Sequence, residues 1–143
     1  MKNKSRRKGC WCLSDAARAS KWLDFARDDL WVAQRLFHEF HPKQVYISCY
    51  HCQQAVEKAL KAFLVNNDAD FPFTHDCAKL CRLCKDLDGD FDNFLEDCGE
   101  VTPYATQSRY PNNAEIEEWE NESALKIAER IVSVCEEKNG AAQ

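Results

Sequence analysis

The sequence predicts an all-α protein, an antiparallel up-and-down bundle of four to five helices. Three observations carry that expectation. Apolar residues recur at helical spacing in several separate segments. Only four Gly and four Pro occur in 143 residues, too few for the many turns of an all-β fold. No segment reads as a strand of useful length. The length suits one domain with a real core.

Residues 1–13 read as a basic, disordered tail: Lys2, Lys4, Arg6, Arg7 and Lys8 lie there without a single acid, and Cys10, Trp11 and Cys12 form a sticky end. Residues 14–138 form the bundle and 139–143 a C-terminal tail. Ser14 or Asp15 caps a first helix running to about Phe40. Its broad apolar stripe holds Trp22, Phe25, Ala26, Leu30, Ala33, Leu36 and Phe37. His41-Pro42 ends it, and Pro42 opens a second helix to about Asn66. After a loop containing Pro72, Thr74 caps a third helix to about Leu87. Asp88 to Asp92 is a turn. A fourth helix, or a pair of short ones, covers about Asp90 to Thr106 with a break near Thr102-Pro103. Ser108 to Asn113 is a second break. A last helix, about Ala114 to Lys138, buries Ile116, Trp119, Ala124, Ile127, Ala128, Ile131, Val134 and Cys135, and Asn139-Gly140 stops it.

The net charge of −5 hides an asymmetry. Five of the 19 basic residues lie in the tail, so residues 14–143 set 14 bases against 24 acids and carry −10. A body that acidic is a poor general polyanion binder, which excludes broad nucleic-acid coating. No apolar run approaches the roughly 18 residues of a membrane span, and the N-terminus lacks the apolar stretch of a secretory signal. A cytoplasmic location is expected. The nine cysteines include two C-x-x-C pairs, Cys49/Cys52 and Cys81/Cys84, each inside a helical pattern rather than a metal-binding turn. Packing in the core is the expected role, since buried Cys behaves as a small hydrophobe. No metal or cofactor is expected.

The second helix carries the clearest functional signal. Val45, Cys49, Cys52, Val56, Ala59, Leu60 and Phe63 form an apolar stripe. His51, Gln54, Glu57, Lys58 and Lys61 follow the same period on roughly the opposite side, with Ile47 and Tyr50 among them. Such a face predicts contact with a partner or ligand; the plainer alternative is solvated intrahelix ion pairs. Arg109 is the one base among twelve acids between Asp86 and Glu122, in an Arg-Tyr-Pro turn with Tyr110 as an aromatic platform. Its planar fork suits phosphate or carboxylate, unless it serves only as a salt-bridge hub. His75 follows Thr74 at a helix start, where N–H groups favour anions.

In order and spacing these segments resemble the HEPN family, the "higher eukaryotes and prokaryotes nucleotide-binding" domains. The residues that carry the resemblance are Ala26-x-x-Asp29-Leu30-x-x-Ala33, the run Cys52 to Leu64, Phe73-Thr-His-Asp76 with Leu80, Tyr104, and Ser108-Arg-Tyr-Pro111. The resemblance implies a helical bundle, commonly a homodimer, and in prokaryotes often a minimal nucleotidyltransferase partner in a toxin–antitoxin-like pair. The polar face of the second helix and the isolated Arg109 put the expected nucleotide or phosphate site at Lys58, Lys61, His75, Arg109 and Tyr110, supported by His51, Gln54 and Glu57. Nuclease-active members also carry a His about four to six residues after a late Arg. Here Asn113, Ala114 and Glu115 occupy those positions, and no His follows His75. Arg35 and His41 meet the spacing, but at the end of the first helix. The expectation is therefore a HEPN protein without the usual nuclease motif. The alternatives are a metal-independent ribonuclease toxin that recruits His51 or His75, and a purely structural helical interaction module.

Overall fold

In a computed structural model the chain forms the expected all-α bundle. The structure describes residues 14–107, 110–111 and 115–141. Helix α1 spans Asp15–Glu39, with the Ser14 hydroxyl accepting from the Ala17 N–H at 3.2 Å. Helix α2 spans Val45–Asn66, three residues later than Pro42 suggests. The intervening bend is fastened differently, with Lys43 Nζ donating to the Phe37 carbonyl at 2.7 Å. The end of α2 is sharply closed. Asp68 takes a left-handed conformation (φ 55°), and the amides of Asp68 and Ala69 return to the carbonyls of Val65 and Leu64. That pattern satisfies the last carbonyls of the helix.

Helix α3, Cys77–Leu87, is capped by Asp76, whose carboxylate accepts from the Lys79 N–H, and not by Thr74. Thr74 instead holds a tight turn by accepting from the Asp76 N–H. A 3-10 segment, Gly89–Phe94, leads into α4, Leu95–Val101, and α5, Tyr104–Gln107, on either side of the expected break at Pro103. Helix α6 spans Glu118–Ala141 and continues through Asn139-Gly140, the expected stop. Glycine weakens a helix without forbidding one.

Side-chain pairs fix the relative directions. Arg27 meets Glu136 and Gln34 approaches Glu129, so α6 runs antiparallel to α1. Ser48 pairs with Asn121 at the start of α2 and α6. The segment 67–76 travels back along α2. Hence Cys77 lies against Gln53 and Cys84 against Leu60, and α3 follows the same direction as α2.

Helix α2 is the central element, with Cys49, Cys52, Val56, Ala59, Leu60 and Leu64 fully buried among α1, α3 and α6. The cysteines at 49, 52, 77, 81, 84, 98 and 135 are all buried and unbridged. Burial pushes the Cys49 thiol up to about 12, so it stays protonated as a packing group. Two aromatic residues expected inside are outside: Phe25 is exposed, and Trp119 is 67% exposed at the start of α6. Ile116, also expected inside, is buried. No helix among the described residues is long and apolar enough to cross a membrane.

Candidate functional site

The polar residues of α2 converge on two buried carboxylates, one supplied by α1 and one by α2 itself. Asp29 of α1 interrupts an apolar stripe and is held beneath the α1–α2 seam with its side chain 12% exposed. His51 Nδ1 lies 2.8 Å from one of its oxygens and Lys58 Nζ 2.5 Å from the other. Burial pushes this carboxyl up, but the hydrogen bonds from His51 and Lys58 and the Lys58 charge prevail and leave it below the usual range.

The second centre is Glu57, 5% exposed, one helical turn from both Gln53 and Lys61. Lys61 Nζ donates to it at 2.7 Å and the Gln53 amide at 3.0 Å. His75 Nδ1 lies 3.1 Å and 3.2 Å from its two oxygens. The same Gln53 amide also donates to the His75 carbonyl at 3.0 Å, which binds the returning segment to α2. Burial again raises the carboxyl, and the bonds from Lys61 and Gln53 outweigh it, so its pKa is lowered. Lys61 itself is 7% exposed, its ammonium 5.5 Å from the rings of both Trp22 and Phe71.

Both centres thus share one composition: a buried carboxylate, an ammonium and an imidazole. With neutral imidazoles each sums to zero charge. Two exposed rings border the centres: Phe25, with the Lys58 ammonium 5.9 Å from its ring, and Phe73, 93% exposed, edge-on to the half-exposed His75 ring. Ile47, one turn before His51 on α2, is exposed as well. Gln54 lies on the α2 surface between the centres, its amide donating to Gln53 Oε1 at 2.7 Å.

Of the residues singled out in the sequence, His51, Gln54, Glu57, Lys58, Lys61 and His75 are brought to this face. The face is partly folded inward, however, and its amines are engaged by carboxylates. Arg109 lies outside the described residues, and Tyr110 is exposed. Arg35 pairs with Glu39 on the surface of α1, and His41 sits in the following bend. Asp29 and Gln53 are site residues that sequence reasoning missed. Gln53 completes an i, i+4 series with Glu57 and Lys61, and Asp29 stands among Ala26, Leu30 and Ala33; both signals were present in the sequence.

Comparison with known proteins agrees with this architecture. A family model described as the HEPN domain matches residues 19–138. Among solved structures, TT1696 from Thermus thermophilus is similar with 27% identity and a TM-score of 0.70, covering 85% of this chain and 98% of that one. ST0689, an archaeal HEPN homologue, shares the fold at 20% identity and a TM-score of 0.66, covering 87% of this chain and 98% of its own. No curated protein matches.

Proposed function

The chain belongs to the HEPN domain family, and from that premise we propose that it is a binding protein that docks a minimal nucleotidyltransferase through its α1–α2 face. In this reading it forms one half of a toxin–antitoxin-like pair, as a homodimer, and performs no nuclease reaction of its own. The observation that carries it is the state of the cations. Lys58 and Lys61 are each neutralised by a buried carboxylate, while Phe25 stands exposed near Lys58 and Phe73 stands exposed against the His75 ring. A phosphate chain gains little from amines already paired, whereas exposed rings beside a fixed polar frame suit a protein surface.

The test is to sequence the neighbouring gene and, where it encodes a minimal nucleotidyltransferase, to co-express the two for size-exclusion chromatography; a neighbour of another kind counts against the reading. A stable complex is expected, lost on Phe73→Glu or Ile47→Glu. No complex with the wild-type chain refutes the reading.

Nucleotide binding by Lys58, Lys61, His75, Arg109 and Tyr110 is the second reading, favoured by the exposed Phe73 ring against His75, because a base needs an open aromatic face. Calorimetric heats with ATP, GTP or short RNA that vanish in Arg109→Ala would establish it. Catalysis by a rearranged His would instead appear as RNA degradation in EDTA, abolished by His51→Gln or His75→Gln.

A further inference from the structure

Cys81 of α3 and Cys98 of α4 meet across the seam between those helices. Both are fully buried, and their sulfurs share a hydrogen bond. Cys81 Sγ also donates to the Phe91 carbonyl at 3.3 Å, in the 3-10 segment that joins the two helices. The thiols on either side of Cys81 are turned elsewhere. Cys77 donates to the Gln53 carbonyl at 3.8 Å, and Cys84, the C-x-x-C mate of Cys81, to the Leu60 carbonyl at 3.7 Å, both on α2. Cys135 of α6 is within electrostatic reach of Cys81. The hydrogen bond from Cys98 holds the Cys81 thiol below the ordinary range; burial opposes it, the Arg82 charge helps, and Asp92 and Asp97 resist. The same bond, with burial, pushes Cys98 up. One sulfur of the pair is therefore the readier nucleophile and the other its resolving thiol.

We propose that Cys81 and Cys98 form a site of reversible oxidation, closed into a disulfide by hydrogen peroxide so that α3 is tied to α4. The Cys81 sulfur attacks one peroxide oxygen, the O–O bond breaks, and the departing hydroxide leaves as water with the thiol proton. Cys81 is then a sulfenic acid. The Cys98 sulfur, giving up its proton, attacks the Cys81 sulfur; the S–O bond breaks and a second water departs. Two thiols and one hydrogen peroxide thus give one disulfide and two waters. Closing brings the sulfurs from hydrogen-bond contact to about 2.05 Å. Size selects the oxidant, because a molecule little larger than water enters a closed core that turns away a bulky disulfide reagent. The 3-10 segment beside Cys81 has poorer hydrogen bonds than an α-helix, so it is the part of the cover that opens most readily. In a reducing compartment the pair rests as thiols and bridges only transiently. It lies on α3 and α4, and its oxidation is independent of docking at the α1–α2 face.

The experiment uses the full chain carrying Cys10→Ser/Cys12→Ser, so that thiols of the tail do not compete. The folded, reduced protein is treated with hydrogen peroxide, its remaining thiols are alkylated in urea, and the bridge is mapped by mass spectrometry of an unreduced digest. The expected result is a loss of two hydrogens from the chain, with Cys81 joined to Cys98 as the dominant bridge. Dithiothreitol should restore both thiols. The oxidised chain should keep its helical circular dichroism and unfold at a higher urea concentration than the reduced one, since a bridge that fits the fold restricts the unfolded chain. In Cys98→Ser, which removes the resolving thiol, Cys81 should stop at the sulfenic acid and be labelled by dimedone. Free Cys81 and Cys98 after treatment overturn the proposal. So does a dominant bridge from either residue to Cys77, Cys84 or Cys135. A lower urea midpoint for the oxidised chain, or loss of its helical signal, overturns it as well, because the bridge would then be foreign to the fold. Should Cys98→Ser fail to fold, the bridge map and the urea midpoint of the parent chain decide the matter by themselves.

Discussion

Replacing Glu57 by Leu removes the acceptor shared by Lys61, Gln53 and His75. The Lys61 ammonium is then left almost wholly enclosed between two aromatic rings with no carboxylate. Breaking one side of a buried ion pair costs about 3–5 kcal/mol, because the remaining charge keeps its desolvation cost. At roughly 3 °C per kcal/mol for a domain of this size, Tm should fall by about 10–15 °C. Lys61→Met should cost less, since Glu57 keeps its bonds to Gln53 and His75. The double variant Glu57→Leu/Lys61→Met removes both charges, and Gln53 still has the His75 carbonyl to bind. It should therefore lie within about 1 kcal/mol of wild type. Urea unfolding followed by circular dichroism measures all three. A cost below about 1 kcal/mol for Glu57→Leu, or a double variant as unstable as the sum of the singles, would refute the picture of a mutually dependent pair.

Further outcomes are open to measurement. Asp29 and Glu57 both have lowered pKa values in the folded chain. Their contribution is thus present above the ordinary carboxylate range near pH 4 and is lost as pH falls through the folded values. Between about pH 4.5 and about pH 2.5 the wild-type Tm should drop more steeply than that of Asp29→Asn; parallel curves would contradict this. Leu60→Ala, at a fully buried position of α2, should cost about 2–5 kcal/mol in urea unfolding. Phe73→Ala should change stability by less than about 0.5 kcal/mol, since the ring is exposed, yet weaken the proposed complex several-fold. In a Cys10→Ser/Cys12→Ser background the seven buried thiols should react with a water-soluble disulfide reagent far more slowly than in urea; equal rates would show that the core does not exclude it.

Periodicity located the helices because each amphipathic stripe is local information. The limits of α1, the break at Pro103 and the buried stripe of α2 were readable for that reason. What went astray depended on distant neighbours. Trp119 fits the stripe of α6 by spacing, yet it stands exposed in the first turn of that helix. Thr74 is a good cap by type, yet Asp76 stands two residues nearer the first turn of α3. The polar set on α2 was legible as a set. That it would be drawn inward was not, because its partners come from 29 in α1 and 75 in the returning segment. Only the Gln53–Glu57–Lys61 series lay within one helix, where spacing alone exposes it.

The path of residues 67–76 fixes a minimum tether. From Asn66 back to the level of Gln53 is about 20 Å of helix rise, and stepping sideways to α3 lengthens the span slightly. Ten residues reach about 35 Å when fully drawn out. The slack amounts to about three residues. Shortening this stretch beyond that would drag α3 out of register and strip Glu57 of His75, while added residues near Asp70 would merely bulge into solvent. Relatives that keep the two-carboxylate face should therefore vary this stretch by growth and rarely by loss.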